Sequence, residues 1–380
     1  MLRLCDIRVA LVNCCALALA MLFGTGSLQA QDQMQNLCER PHIDGVPHVV
    51  MVLWRGPTTV EQGVQAYFDS RDLKFNVTCL SADRDSSRFV RLVEQAKELE
   101  PDLLYTWGTS ATLAAVGTYD EKGAAFPTSQ TPVLFTMVSY PVQSKIVPDF
   151  AGSGRNLTGS SHTVPLESQL KAMLAYRDVD RIGMIFNPRE DNSVLNMRAL
   201  GELTQREDIN IELVAIRVPL KERQAESLGE SGAEAEAGSG EEEVSEGQPD
   251  PSTLPELIAR MAAQDVQFLY IGPDNFVGTN QETIIGEALS YGIPSFTGTE
   301  LEILDGDALV GLVTPYYNLG LLNGSLIERI LLDGEAPETI PISTLARFTY
   351  IVRMNVALRI GVFPPLDILE FARILEGETE

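Results

Sequence analysis

Histidine is scarce: three residues in 380, His42, His48 and His162, at spacings that build no metal site. Cysteine is scarce too, five in all, and no Cys-x-x-Cys occurs. Basic residues are few: Lys and Arg total 28 against 53 Asp and Glu, a net charge of -25. That balance excludes nucleic acid as a partner, since binding it needs clustered cations. Nucleophile elbows (Gly-x-Ser-x-Gly), Walker loops and dinucleotide fingerprints in strand-to-helix context are all missing. No catalytic residue, metal ligand or cofactor is therefore assigned. Beyond the N-terminus, no stretch is long and apolar enough to cross a membrane.

What is present begins with a leader. Arg3 and Arg8 precede an apolar run from Val9 to Phe23, and Ser27-Leu28-Gln29-Ala30 ends it. This three-part pattern predicts a secretory signal peptide over residues 1–30, cleaved after Ala30, and hence a periplasmic protein. An uncleaved membrane anchor is the rival reading. Cleavage leaves two cysteines, Cys38 and Cys79. An even pair in an oxidising compartment points to one disulfide, tying the arm at 31–45 to the second strand; two free thiols are the alternative.

The remaining chain, 44% hydrophobic overall, is long enough for two well-buried domains. Its organising stretch is Pro101 to Val116. Asp102 to Trp107 reads as a buried strand. Gly108 permits a sharp turn, and Thr109 or Ser110 can N-cap a helix from Ala111. Free N–H groups at such a turn suit an anion, and in an open parallel sheet ligands bind at the carboxyl ends of the strands. An ordinary capped turn is the plainer alternative.

Strands alternate with helices before and after this turn. Strands are expected at 48–54, 75–80 and 133–138, with helices at 58–70 and 89–99. The glycine-rich passage 152–159 lacks the strand-then-helix context of a dinucleotide loop and reads as a crossing between domains. The alternation then restarts. Helices are expected at 166–176, 193–206, 254–263 and 279–291, and strands at 181–187, 209–218, 266–271, 293–296 and 308–313. A long helix at 319–332, a strand at 348–352 and a short helix at 356–359 end the chain. Gly292 takes a left-handed helix-end position. Residues 222–250 break the pattern with ten acidic residues and one basic. Their composition predicts a disordered acidic insertion. The alternation implies right-handed βαβ units and parallel sheets. Two such halves make an α/β protein of two Rossmann-like lobes with an inter-lobe cleft, a preferred place for a small-molecule site.

Several passages, in order, now match one pattern. Trp107-Gly108-Thr109-Ser110-Ala111 fits a Gly-Thr-x-Ala turn. Thr131 to Phe135 followed by Val138-Ser139-Tyr140-Pro141-Val142 fits "IPVVF…V-[ST]-D-P-V". Gly154 to Gly159 fits "GGN-V-TG", and Asn187-Pro188 with Asn192-Ser193-Val194 fits "NP…NSV". Gly272 to Asn275 fits "PTDN", and Pro315 to Gly320 fits "vdYyelG". Taken together, the chain from about Val46 to Gly361 resembles the tryptophan/tyrosine-type ABC transporter substrate-binding proteins. These are periplasmic binding proteins of the type I, or Venus flytrap, fold.

The resemblance implies two lobes joined by three crossings that close on a small, amino-acid-like ligand. It places residues 46–159 and about 308–340 in lobe 1, and 160–307 and about 341–375 in lobe 2. It implies a monomer served by a membrane permease and an ATPase. The Gly108 turn carries over as a cleft element, with Thr109 and Ser110 as carboxylate donors. Asp274 would meet a ligand ammonium with Asn275 beside it, or else simply cap the next helix. Asn192 and Ser193 would donate across the cleft, and Ser139 matches the first residue of "[ST]-D-P". Tyr140 stands where the family has Asp. With Trp54 it hints at a stacking surface, with rim packing as the alternative. None of the histidines lies near these motifs in sequence. Two other functions stay in view: a sensor of the same fold that signals to a receptor, and an enzyme relying on carboxylates.

Overall fold

The computed structural model describes residues 37–38, 42–120, 125–126, 128–221 and 247–376. The expected signal peptide and most of the N-terminal arm lie outside the described residues, as does 222–246 of the expected insertion. The last residues of that segment are not loose. Leu220 and Pro249 form an antiparallel bridge, and Asp250 caps the turn that follows.

The first lobe is built on β1 (His48–Leu53), an unbroken apolar run buried from Val49 onward. A strand apolar on both faces belongs at the centre of a parallel sheet covered by helices. β1 lies between β2 (Asn76–Ser81) and β3 (Leu103–Trp107), and β4 (Val133–Thr136) and β5 (Leu157–Ser161) extend the sheet beyond β3. Helix α1 (Thr59–Ser70) starts at a capping box. The Thr58 N–H donates to Glu61 Oε2 at 2.8 Å, and Val60 N–H donates to the Thr58 hydroxyl. Helix α2 (Phe89–Glu98) buries Phe89, Leu92, Val93 and Ala96, which share one face at helical spacing. Helix α3 (Thr109–Val116) follows the Gly108 turn.

The second lobe repeats the plan. Helix α4 (Leu166–Tyr176) leads to β6 (Arg181–Phe186), α5 (Asp191–Thr204) and β7 (Glu212–Arg217). Then come α6 (Leu254–Ala262), β8 (Phe268–Ile271), α7 (Asn275–Thr279), α8 (Gln281–Ser290), β9 (Ser295–Thr297), α9 (Glu300–Leu304) and β10 (Val310–Val313). The helix expected at 279–291 is α8, and the short helix α7 precedes it, Asn280 ending one and beginning the other. Gly292 takes φ +69°, the left-handed helix end anticipated for it.

The chain then returns to the first lobe. Helix α10 (Tyr316–Leu331) packs along α1, and β11 (Ser343–Thr344) pairs with β5. It finishes on the second sheet with β12 (Thr349–Arg353), α11 (Met354–Ile360), α12 (Leu366–Leu369) and β13 (Arg373–Leu375). The first sheet runs β11-β5-β4-β3-β1-β2, all parallel. The second runs β13-β12-β10-β9-β8-β6-β7, with β12 antiparallel to β10. Each sheet carries its own hydrophobic core.

Three expected boundaries move. The glycine-rich passage does not cross between lobes: it feeds β5, which pairs with β4, so the first crossing falls after Ser161. The strand expected in lobe 1 at 308–313 pairs with β9 and β12 in the second sheet, so lobe 1 regains the chain only near α10. β11, placed by expectation in lobe 2, belongs to the first sheet. Crossings therefore lie at 162–165, 314–315 and 345–348, three as the fold requires.

Close helix packing joins α1 and α10. A Cβ on Gly63 would lie 2.1 Å from the Tyr317 carbonyl oxygen, and one on Gly320 would lie 1.9 Å from that of Val60. Only glycine on both sides permits this approach.

Candidate ligand-binding cleft

The carboxyl ends of both sheets face each other, and a cavity of about 50 Å³ lies between them. Each wall comes from residues that follow a strand. The first lobe supplies Trp54 after β1, the β3–α3 turn at Trp107, Gly108 and Thr109, Met137 and Ser139 after β4, and His162 after β5. The second supplies Asn192 on α5, Asp274 and Asn275 after β8, and Thr299 and Glu302 around α9. Tyr316 closes the cavity at the start of α10.

The β3–α3 turn differs in detail from expectation. The helix begins at Thr109 rather than Ala111, and Gly108 itself is the cap at φ +86° and ψ 165°. Neither Thr109 nor Ser110 caps through its side chain. The first-turn N–H groups are thus left without a side-chain acceptor. Met137 holds φ +56°, a strained conformation for a residue with a Cβ, and it sits in the cavity wall.

Asp274 is buried and anchored. Its Oδ1 accepts from Val277 N–H at 2.9 Å, the helix cap weighed above. Its Oδ2 accepts from Asn187 N–H at 2.9 Å and from the Ser193 hydroxyl. Glu190 adjoins it and accepts from Asn275 N–H at 2.7 Å. Burial, and then the neighbouring charge of Asp274, push the Glu190 carboxyl well above its ordinary range. Asn192 Nδ2 donates to the Pro273 carbonyl at 2.8 Å, fixing the turn that presents Asp274.

The expected residues therefore divide. Trp54, Gly108, Thr109, Ser139, Asn192, Asp274 and Asn275 meet in the cavity. Ser110 lines a more open adjoining hollow, shared with Trp54 and Asn275. Ser193 is buried behind Asp274 and supports it instead of facing across the cleft. Tyr140 does not line the cavity: its hydroxyl donates to Asn196 on α5 of the opposite lobe at 2.6 Å. It forms no stack with Trp54, whose ring packs on Phe89 with centroids 5.9 Å apart. The disulfide between Cys38 and Cys79 is formed, with Cα atoms 5.4 Å apart.

Residues not anticipated complete the wall: Arg55, Trp107, His162, Glu302 and Tyr316. Burial drives the His162 pKa down to about 4, so the ring is neutral. Among the described residues its Nδ1 is buried without a hydrogen-bond partner, as are Trp107 Nε1 and Arg55 Nε. Buried polar atoms are normally satisfied, so three orphans around one cavity mark a place built for another molecule. Their sequence signal was position: Arg55, Trp107 and His162 each sit at or just past the carboxyl end of a strand.

Residues 53–224 and 254–374 match the family described as ABC transporter substrate binding protein. A curated tyrosine-binding protein of Clostridioides difficile is 21% identical over 232 residues, 61% of this chain and 57% of that protein. The chain thus spans a little over half the length of that relative. Among solved structures, a conserved domain protein from Vibrio cholerae superposes with TM-score 0.70 at 19% identity. It covers 87% of this chain and all of its own. An ABC domain from Streptococcus pneumonia in complex with L-Trp gives TM-score 0.69 at 17% identity with the same coverage. These likenesses establish the fold of two α/β lobes, and with most of the chain matched by the family the conclusion is direct: this protein belongs to the ABC transporter substrate-binding family.

Proposed function

We propose that the protein captures an amino-acid-like solute, aromatic ones included, in the inter-lobe cavity outside the cytoplasm and presents it to a membrane permease driven by an ATPase. The observation that carries this reading is the cavity's set of buried, unpartnered polar atoms, Trp107 Nε1, His162 Nδ1 and Arg55 Nε. Aromatic rings at Trp54, Trp107 and Tyr316 stand beside opposite charges at Arg55 and Glu302, a lining that suits a zwitterion with an apolar side chain. The names of the tyrosine-binding relative and the L-Trp complex support the same class. The signal-peptide pattern supports export to the periplasm. Release would follow lobe opening, and capture lobe closure.

A thermal-shift screen of the protein from Gln31 onward tests this against amino acids, short peptides, purines and sugars. A ligand at 100 times its Kd adds about 2.7 kcal/mol of stability. A shift with amino acids alone is expected. A shift only with another class overturns the reading.

A further inference from the structure

We propose that the cavity grips an α-amino acid by its head group, the Arg55 guanidinium and Trp107 indole N–H holding the carboxylate and the Glu302 carboxylate holding the ammonium. This rests on the amino-acid reading above and names the atoms that carry it.

A zwitterion needs one anchor of each sign. Arg55, Asp274 and Glu302 are the charged residues among the described residues lining the cavity, His162 being neutral. Asp274 is the anchor that the sequence suggests, yet its oxygens are committed. Two backbone N–H groups and the Ser193 hydroxyl donate to them, and Glu190 presses against the same carboxylate. It holds α7 and β6 together rather than waiting for a ligand.

Glu302 is different. Its Oε2 accepts from the Thr299 hydroxyl, and its Oε1 lies against Gly278, a cavity residue on which a Cβ would come within 3.0 Å of that oxygen. Glu302 makes no ion pair among the described residues, and neither does Arg55. Burial raises the Glu302 carboxyl above its ordinary range, and the nearby Arg55 charge is one of the influences that oppose that rise. Two opposite charges that share a cavity without closing on each other leave a gap for a molecule bearing both signs.

The donors match the acceptor. A carboxylate is acceptor-only, with about four lone-pair sites. Arg55 Nε–H and Trp107 Nε1–H are buried donors with no acceptor among the described residues. A charged guanidinium and a neutral indole N–H therefore have their hydrogen bonds completed by the same group.

The test is calorimetric. The probes are L-tyrosine and L-tryptophan, their decarboxylated amines, and their deaminated acids. Arg55→Gln should weaken the amino acid and the deaminated acid about thirtyfold or more, leaving the amine within about twofold. Glu302→Gln keeps an acceptor for Thr299 and should weaken the amino acid and the amine, leaving the acid unchanged. Arg55→Lys should recover part of the lost affinity. Melting of each unliganded variant at the wild-type temperature shows that the fold is kept. If wild type binds the amino acids and either variant weakens all three probe types alike, or none, the head-group assignment is overturned while the solute reading stands. If Asp274→Asn alone removes preference for the amine, the ammonium site belongs to Asp274. If wild type binds no amino acid, both readings fall.

Discussion

The Tyr140 hydroxyl reaches from the first lobe to Asn196 Oδ1 in the second, 2.6 Å away. Asn196 is fully buried on α5, so the bond ties a loop after β4 to the body of the opposite lobe. It exists only while the lobes are closed at this point. The Tyr140 side chain is long enough for its hydroxyl to span the gap. The side chain that the sequence suggested as a stacking surface makes, in the structure, a contact between lobes.

Tyr140→Phe should therefore weaken ligand binding without touching the cavity wall. A neutral hydrogen bond contributes about 1 kcal/mol, or about fivefold in affinity. The loss should fall in the dissociation rate, since the closed state is what the bond favours. Stopped-flow dissociation of the tight ligand checks this. A double-mutant cycle with Asn196→Ala should show the second substitution adding little to the first. Independent, additive losses would mean that the two residues do not act through one bond.

The Glu190–Asp274 contact sets a pH dependence of stability. The Glu190 carboxyl is raised well above its ordinary range, first by burial and then by Asp274. A carboxyl raised in the folded state binds more protons there than in the unfolded chain. Its contribution is full below the unfolded value and is lost as pH climbs through the raised one. Glu190→Gln mimics the neutral acid at every pH. The variant should melt higher than wild type at pH 8, and the difference should shrink toward pH 5. Because Glu61, Glu300 and Glu302 are raised as well, the comparison with the variant, not the wild-type curve alone, isolates this group.

Most of the two-lobed plan was legible because each lobe is a run of apolar strands alternating with striped helices, and that periodicity is local. Val49–Leu53 and the Phe89 stripe needed no partner to be read. What was not legible depended on pairing. β10 and β11 are strands of only four and two residues, and their neighbours decide which sheet takes them. The cavity followed the same division. Gly108, Thr109 and Asp274 sit in motifs with turn chemistry. Arg55, Trp107 and His162 carry only their place at or just past the end of a strand, and that place gains meaning when the opposite lobe closes the cavity. Tyr140 and Ser193 were found as residues but misread in role, because each side chain is aimed by a tertiary partner.

The α1–α10 contact predicts opposite outcomes for one substitution type. Gly63→Ala puts a Cβ 2.1 Å from a backbone carbonyl oxygen, which cannot rotate away. The helices must part, at a cost of about 1–3 kcal/mol. Gly286, inside α8, has nothing within 4 Å of its Cβ position. There alanine removes only the backbone freedom of glycine and should add about 0.5–1 kcal/mol. Urea unfolding of both variants checks the pair. A stable Gly63→Ala protein would mean the helices do not pack this closely.

The disulfide should matter to the first lobe's stability and not to the site. Cys38 and Cys79 are 41 residues apart in the chain, and neither lines the cleft cavity. Cross-linking a loop of this size restricts the unfolded chain, and removing such a bond typically costs about 2–4 kcal/mol. A Cys38→Ser, Cys79→Ser protein should therefore unfold at lower urea while binding its ligand with unchanged affinity. Leu37, next to the first cysteine, is buried in the first lobe's core, so the bond also pins an apolar residue against that core. If loss of the disulfide lowered affinity as much as stability, the arm would have to reach the cleft. Calorimetry on the double variant, at a temperature where it stays folded, distinguishes the two effects.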